Sequence, residues 1–353
     1  MSDIVIQSDR KTFSYEILRE YSIKQKEYCT ALAIKKDNSL VLATADKAIK
    51  CFQFRQGQLK QFQYMNMFRK DITTLNLFEN KSLFIIGSID SSIRISSTNL
   101  ISSSKYIQQL DGHSSWISNI IIHPIDQDVI ISSSNDSSIR VWYNIQNWVC
   151  CQIIKEHKKE IKGLSINQQG NQLLSCSDDL QIFIMEPKNK KNYQFWQIIQ
   201  KINIDQSGYR LCYINDNIFT FQQNSNNHLN IYSKDENDFY IKTGQLEVGG
   251  VGQSCDFLFP SIYYSNKQIL INKNGCTINI IRYCNQINLN DENNCQFVLE
   301  QTIDYGDYSY GHIWGVIKYL TISIHLNNYY ISFRFHYNIK LLLYFQFNCY
   351  FQS

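Results

Sequence analysis

The residues His113, Ser132 and Asp136 have the types that a hydrolase uses to activate a serine. In such a triad the serine hydroxyl attacks a carbonyl carbon, the histidine takes up its proton and the carboxylate holds the imidazole in the required tautomer. All three stand within one stretch of 24 residues. The strands and loops that position them therefore decide whether they can contact a substrate or contact only one another.

Other chemical sites have less support. The run Gly249-Gly250-Val251-Gly252 has the glycine content of a phosphate-binding loop, but neither a Lys-Ser/Thr pair nor a helical period follows it. The 7 histidines form no i, i+4 pair and no His-x-His cluster with nearby carboxylates. Because zinc sites need such groupings, we predict no metal, no cofactor and no small-molecule substrate.

Composition indicates a reduced protein of the cytoplasm or nucleus. The 11 cysteines are odd in number and include no Cys-x-x-Cys pair. The first residues lack the basic and then apolar order of a signal peptide, and we expect no membrane partner. A net charge of +3 is too small to indicate a polyanion partner. The lysine clusters at 155–162 and 188–191 are interpreted as solvated segments, so nucleic acid is not expected.

A repeat of one supersecondary unit organises the chain. An Asp-x-x-Ile pattern begins at Asp46, Asp90, Asp136 and Asp179, with gaps of 44, 46 and 43 residues. An alternating run of β-forming residues precedes each aspartate and another follows it, which predicts a hairpin. A further run lies upstream, and the stretches 148–154 and 195–199 supply a fourth strand. A four-stranded unit of this length is typical of a propeller blade, and such units must stack because one sheet cannot bury both of its faces.

The third unit resembles a WD repeat. Asp111-Gly112-His113 stands upstream of Asn135-Asp136-Ser137-Ser138-Ile139-Arg140-Val141-Trp142. In that family a His, a Ser or Thr, an Asp and a Trp form a hydrogen-bonded chain that pins the hairpin turn to the loop entering the blade. The resemblance implies that the triad-like residues are structural rather than catalytic.

The other units keep the pattern in part. The resemblance assigns the hydrogen-bonded chain of the third unit to His113, Ser132, Asp136 and Trp142. In the fourth unit it assigns the hydrogen-bonded chain to His157, Ser175 and Asp179, and Met185 replaces the Trp. The first two units retain only the turn residues Asp46 and Asp90. In a fifth and a sixth unit Asn226 and Gly275 stand at the aspartate position, and both tolerate tight turns.

We predict an all-β propeller of four-stranded blades, seven in number by preference and six as the alternative. It occupies residues 1–310, with units near 27–60, 70–105, 111–150, 156–200, 207–245 and 253–285 and an incomplete last unit from 296. A strand at 4–6 could complete the seventh blade. Residues 311–353 form an aromatic-rich tail, and from Tyr308 onward there is no Asp or Glu. The tail is either a divergent last blade or the product of a gene-model error.

The resemblance implies a non-catalytic scaffold or adaptor that binds other proteins, several at once, within a complex. The positions expected to face a partner lie at the disc's narrow face: Trp116, Asn135, Glu160, Asp178, Tyr28 and Asp71. Trp116 is either a binding anchor or a residue packed between blades. One alternative is a subunit of cytosolic iron-sulfur protein assembly, because the turn at 175–179 is similar to that propeller. An alternative of another class is an enzyme on a propeller scaffold, which would need carboxylates or histidines converging on the channel.

Overall fold

The fold is described from a computed structural model of residues 22–25, 27, 29–35, 37, 39–55, 58–101, 105–189, 192–250, 260–275, 277–284, 297–304 and 332–335. All regular elements in these residues are β-strands. No segment there forms a helix that is long and apolar enough to cross a membrane. The predicted fold class is confirmed.

The strands form six four-stranded antiparallel blades in chain order. The first blade contains β2 (Leu32–Ile34), β3 (Val41–Ala45), β4 (Ala48–Arg55) and β5 (Gln58–Asn66), and the second contains β6 (Ile72–Leu77), β7 (Leu83–Ser88), β8 (Ile93–Ser97) and β9 (Gln108–Leu110). The third contains β10 (Ile117–Ile122), β11 (Val129–Ser134), β12 (Ile139–Asn144) and β13 (Trp148–Ile154), and the fourth contains β14 (Ile161–Ile166), β15 (Leu173–Ser177), β16 (Gln181–Asn189) and β17 (Asn192–Asn203). The fifth contains β18 (Gly208–Asn215), β19 (Ile218–Gln223), β20 (His228–Lys234) and β21 (Tyr240–Glu247), and the sixth contains β22 (Ile262–Tyr264), β23 (Ile269–Asn274), β24 (Thr277–Tyr283) and β25 (Phe297–Asp304).

Within the described residues there are six blades, so the preferred count of seven is wrong and the alternative of six is confirmed. The difference lies in β25, whose sequence predicts the start of a seventh unit. It instead pairs with β24 as the outer strand of the sixth blade, with Tyr283 opposite Phe297 and Thr277 opposite Asp304. The remaining strands, β1 (Ser22–Gln25) and β26 (Ser332–Phe335), pair in parallel with each other. The candidate strand at 4–6 and the rest of the tail lie outside the described residues.

The third blade buries both faces of its middle strands against its two neighbours. Every residue of β11 is buried, and successive side chains point to opposite faces. Val129 and Ile131 belong to a cluster with Leu173 of the fourth blade, whereas Ile130 belongs to one with Ile85 of the second. Stacking of neighbours therefore supplies the hydrophobic core that a single sheet lacks.

A glutamine clamp joins the outer strands of successive blades. Gln152 Nε2 donates to the carbonyl of Trp196 at 2.7 Å, and Trp196 N donates back to Gln152 Oε1 at 2.7 Å. Gln108 makes the same two bonds to Trp148, at 2.7 and 2.9 Å, and Gln200 makes them to Tyr240, also at 2.7 and 2.9 Å. The side-chain amide thus pairs with the backbone of the next blade as another strand would.

In the fifth blade Gly244 occupies the clamp position. Gly244 lies opposite Ile231, just after the bulge of the outer strand, as Gln152 lies opposite Val141 and Gln200 opposite Ile184. A Cβ built on Gly244 would have no neighbour closer than Ile231 Cδ1 at 3.9 Å, so a side chain fits there. The residue of the sixth blade that corresponds to Trp148 and Tyr240 is Phe297, the first residue of its outer strand.

We predict that Gly244→Gln stabilises the protein by about 1 kcal/mol. Removing glycine from a strand gains roughly 0.5–1 kcal/mol, and two new hydrogen bonds to Phe297 contribute about 0.5–1.5 kcal/mol each, offset by about 1.5–2 kcal/mol of glutamine side-chain entropy. Chemical denaturation measures the change. Gly244→Ala is the control, because it removes the glycine without adding an amide. A glutamine variant no more stable than the alanine variant would show that no clamp forms.

Candidate interaction face

One face of the propeller is defined by a contact that recurs in four consecutive blades. The residue just before the inner strand accepts a hydrogen bond from the residue at the start of the hairpin turn. Trp116 O accepts from Asn135 N at 2.9 Å and Glu160 O from Asp178 N at 3.0 Å. Asp71 accepts in this way from Ile89 at 2.9 Å, and Ser207 from Asn224 at 2.8 Å. We call this side, with its loops before the inner strands and its hairpin turns, the turn face.

In the third blade four side chains form a continuous hydrogen-bonded chain. Trp142 Nε1 donates to Ser132 Oγ at 2.9 Å, Ser132 Oγ lies 2.9 Å from His113 Nε2, and His113 Nδ1 lies 2.9 Å from Asp136 Oδ2. Asp136 also accepts bonds from Ser114 N, Ser138 N and Ser138 Oγ at 3.0, 2.9 and 2.6 Å. The carboxylate therefore ties the hairpin turn to the loop that enters the blade.

The hydrogen-bonded chain of the third blade has one consistent arrangement of protons, in which the imidazole of His113 is neutral. Trp142 can only donate to Ser132, so the serine hydroxyl is free to donate to His113 Nε2, and His113 Nδ1–H donates to Asp136. Burial is the largest influence on His113 and lowers its pKa, which the hydrogen bond and charge of Asp136 only partly offset. Asp136 loses water by burial, but its bonds from His113, Ser138 and Ser114 outweigh that cost and lower its pKa.

These residues do not form a hydrolytic site. The Ser132 side chain is fully buried, and its hydroxyl already engages Trp142 and His113. A substrate carbonyl cannot approach an oxygen that is closed off on all sides. Among the described residues there is also no group of three or more His, Cys, Asp or Glu side chains that could hold a metal ion.

The fourth blade repeats the arrangement without the tryptophan. His157 Nδ1 lies 2.8 Å from Asp179 Oδ2 and its Nε2 lies 2.8 Å from Ser175 Oγ. The imidazole stacks on Phe183, with ring centroids 3.8 Å apart. Met185, at the tryptophan position, is fully buried and packs with Trp196. Burial is again the main influence that lowers the pKa of His157.

The other turns use simpler chemistry. Asp90 Oδ1 accepts from Ser92 N at 3.0 Å, and Asn226 Oδ1 accepts from His228 N at 3.0 Å in the same i to i+2 geometry. Asp46 differs, because it begins a two-residue turn between Ala45 and Ala48 and has a φ of 53°. Gly275 opens the corresponding turn of the sixth blade with a φ of 56°, a conformation that favours glycine.

The glycines at 249 and 250 lie in the loop that enters the sixth blade. Gly250 has a φ of 95°, and a Cβ built there would stand 2.1 Å from the backbone oxygen of Asn274. Gly249 N donates to Asn279 Oδ1 at 2.8 Å. Close packing of this loop on the hairpin accounts for both glycines. Val251 and Gly252 lie outside the described residues.

The residues expected to face a partner lie together on the turn face, except Tyr28, which is outside the described residues. Trp116 is 42% exposed, so its ring is at the surface rather than in the core. Asp71 is exposed, and Asn135, Glu160 and Asp178 are half-buried.

Hydrogen bonds between inner strands fix the order of these residues. Thr73 Oγ1 of the second blade donates to Ile117 O of the third at 2.5 Å, and Asn119 Nδ2 of the third donates to Lys162 O of the fourth at 2.9 Å. Trp116 directly precedes Ile117. It therefore stands between Asp71 on one side and Glu160 on the other.

Sequence reasoning missed three residues of this face. Lys162 is buried, forms an ion pair with Glu160 and lies 3.5 Å from Asp178 Oδ2. Burial disfavours its charge, but the Glu160 hydrogen bond and the Asp178 charge outweigh that effect and raise its pKa. Ser207 and Asn224 occupy the same positions in the fifth blade as Trp116 and Asn135 in the third. Spacing could have identified Ser207 and Asn224, since they stand 17 residues apart and the corresponding pairs of the other three blades stand 18 or 19 apart.

Comparison with known proteins identifies the repeats of two blades. The family model described as WD domain, G-beta repeat, matches residues 104–143 and 148–184. Each match covers an outer strand and then three strands of the following blade, so the sequence repeat is offset from the blade by one strand. The chain thus contains WD40 repeats that interlock its second, third and fourth blades.

The relatives match only a minor part of the chain. Over 78 residues, 22% of this chain, it is 36% identical to pre-mRNA-processing factor 19 of Bos taurus and 35% identical to that of Mus musculus, and the match covers 15% of each relative. Over 106 residues, 30% of this chain, it is 30% identical to a probable cytosolic Fe-S cluster assembly factor of Schizosaccharomyces pombe, covering 17% of that protein. The chain therefore spans less than a fifth of the length of these relatives.

Proposed function

We propose that this chain, a propeller with WD40 repeats, is a non-catalytic scaffold that binds other proteins on its turn face. One observation carries the proposal: Trp116 is 42% exposed on the turn face, with carboxylates on the blades at either side. An exposed tryptophan supplies a large contact area at low entropic cost, which is why it is common among binding hot spots. The loops of a rigid scaffold can serve several partners at once.

The chemistry of the face favours a protein partner with a cationic segment. Asp71 lies beside Asp46, and partial burial together with the Asp46 charge raises the pKa of Asp71. Lys162 offsets the charges of Glu160 and Asp178 on one side of Trp116, so the attraction for cationic groups, which can stack on an indole ring, comes from the Asp71 side. We propose that such a partner binds this chain in the cytoplasm or the nucleus.

The similarity to the Schizosaccharomyces pombe protein supports a second, narrower candidate, a subunit of cytosolic iron-sulfur protein assembly. That similarity spans 106 residues. The two candidates share the scaffold mechanism and differ in the partners. Affinity purification followed by mass spectrometry distinguishes them, because only the narrower candidate requires iron-sulfur assembly proteins among the captured partners.

Trp116→Ala is expected to keep the fold and to weaken partner capture by about 2 kcal/mol, roughly thirtyfold in Kd. The substitution removes side-chain area that contacts the partner and leaves the core of the propeller unchanged. Quantitative pull-down against the wild type measures it, and circular dichroism checks the fold. Phe239→Ala is the matched control, because Phe239 is also an exposed aromatic, at 50%, but precedes an outer strand. Unchanged capture by the Trp116 variant would show that partners bind to another surface of the protein.

A further inference from the structure

The hairpin turns of the second, third and fourth blades share one backbone geometry. In each turn the residue after the aspartate donates to the carbonyl oxygen three residues earlier: Ser91 to Ser88 at 3.3 Å, Ser137 to Ser134 at 3.2 Å and Leu180 to Ser177 at 3.2 Å. The three donor residues have φ values of 68°, 65° and 64°. The turn therefore holds Leu180 in the left-handed region of backbone conformation.

Leucine is poorly suited to that region. A Cβ atom there crowds the following carbonyl oxygen, and glycine, asparagine and aspartate occupy the region most readily. Within the described residues, the non-glycine positions with a positive φ are Asp46, Ser91, Ser137, Leu180, Ser225, Asp238 and Gln268. Leu180 is the apolar member of this set, so the turn itself does not account for a leucine.

Packing does not account for the leucine either. The Leu180 side chain is 41% exposed, and it belongs to neither of the hydrophobic clusters that the fourth blade forms with the third and the fifth. Backbone strain at an exposed apolar residue lowers stability without a compensating gain from burial. Strained residues of this kind cluster at functional sites, where the surrounding structure holds them in place. Leu180 is therefore a candidate for binding rather than for folding.

Leu180 and Trp116 lie on adjacent blades of the turn face. Among the described loops and turns of that face, these two are the large apolar side chains that are exposed, at 41% and 42%. Between them lies the ion-paired group of Glu160, Lys162 and Asp178. Asp178 N donates to Glu160 O at 3.0 Å, so the turn that carries Leu180 is fixed to the loop beside Trp116. A partner that covers Trp116 and extends over the fourth blade therefore contacts Leu180.

We propose that Leu180 determines part of the partner specificity of the turn face: the partner segment that covers Trp116 places an apolar side chain on Leu180. This inference rests on the proposed scaffold function, because it concerns the same partner. A polar side chain at that position would lose its hydrogen bonds to water and find no partner in leucine. An apolar side chain gains free energy when both surfaces leave water. The partner segment therefore carries an apolar residue as well as its cationic group.

Leu180→Asn separates binding from stability, because asparagine adopts the left-handed conformation more readily and lacks the apolar surface. The probes are the proteins that the full wild-type chain captures and the Trp116→Ala variant loses, each purified for measurement of its Kd. We expect Leu180→Asn to weaken this binding at least fivefold, while the midpoint of chemical denaturation stays the same or rises. Leu180→Met keeps the apolar surface and is expected to bind within twofold of the wild type.

The control variant is Ile241→Asn. Ile241 is an exposed isoleucine, at 48%, on the outer strand of the fifth blade, so this variant makes a similar change away from the turn face. It is expected to change the Kd less than twofold. A photoactivatable leucine analogue at position 180 then identifies the contacted residue in the purified complex. Mass spectrometry of the crosslinked peptide is expected to find an apolar residue in a segment that also contains Lys or Arg.

Three results would overturn the role of Leu180 and leave the scaffold proposal standing. They are an unchanged Kd for Leu180→Asn with partners that Trp116→Ala loses, an equal loss with Ile241→Asn, and crosslinks from position 180 to polar residues alone. A lower denaturation midpoint for Leu180→Asn would also overturn it, because the leucine would then stabilise the turn. If no captured protein depends on Trp116, the turn face is not the binding surface and both proposals fail.

Discussion

Asp136→Ala is expected to lower the free energy of unfolding by about 3 kcal/mol, because it leaves buried donors without partners. Asp136 is only 8% exposed at its side chain and accepts four hydrogen bonds, from His113, Ser114 and two atoms of Ser138. Removing the carboxylate leaves His113 Nδ1–H with only the more distant Ser138 Oγ, at 3.2 Å, and releases the turn from the loop. Equilibrium denaturation measures the loss.

Asp90→Ala is the control for this effect. Asp90 occupies the same place in the second blade, but its Oδ1 atom binds only Ser92, through Ser92 N at 3.0 Å and Ser92 Oγ at 2.5 Å. We expect this variant to lose about 1 kcal/mol, the contribution of an ordinary turn bond. Equal losses for the two variants would mean that the histidine-linked chain adds nothing to stability.

Acid is expected to destabilise the protein from about pH 6.5 downward, well before the carboxylates titrate. Burial lowers the pKa of His113, His123 and His157 below the ordinary value of 6.5. As the pH falls, these residues are protonated first in the unfolded chain, so the unfolded state binds more protons than the folded state. Stability therefore rises with pH in this window and reaches its plateau above the unfolded pKa.

His123 shows why a folded histidine resists protonation. Its side chain is fully buried, its Nε2 donates to Gly170 O at 2.7 Å and its Nδ1 accepts from Asp126 N at 2.9 Å. A proton on Nδ1 would turn that acceptor into a second donor facing an N–H group.

The pH dependence is measured as the midpoint of thermal unfolding between pH 8 and 5. His123→Gln is the comparison, since glutamine cannot be protonated, and its curve is expected to fall less steeply than that of the wild type. A wild-type midpoint that is constant or rises between pH 7 and 5 would contradict the assignment of these histidines as neutral.

The hydrogen-bonded chain could be predicted because the third unit resembles a WD repeat, in which these residue types have a known structural role. His113 stands in the entering loop and Asp136 in the hairpin turn, whereas Ser132 and Trp142 stand in strands β11 and β12. The structure shows His157, Ser175 and Asp179 in the same geometry, although Met185 interrupts the pattern.

The blade count and the clamp could not be predicted in the same way. Alternation of apolar residues shows that Phe297–Asp304 is a strand, but not whether it is the inner strand of a new blade or the outer strand of the previous one. The clamp glutamines appear as ordinary polar residues on an edge strand. Their partners stand 40 or 44 residues away, on another blade, and only stacking brings them together.

The clamps also protect the propeller from self-association. The outermost strand of any blade exposes backbone N–H and C=O groups, which offer a template for pairing with a strand of another molecule. The amides of Gln108, Gln152 and Gln200 occupy one such N–H and C=O pair on each following blade. An incoming strand would have to displace them before it could add to the sheet. Gly244 has no side-chain amide to give such cover, so we expect an incoming strand to pair more easily with the outer strand of the sixth blade than with a clamped strand.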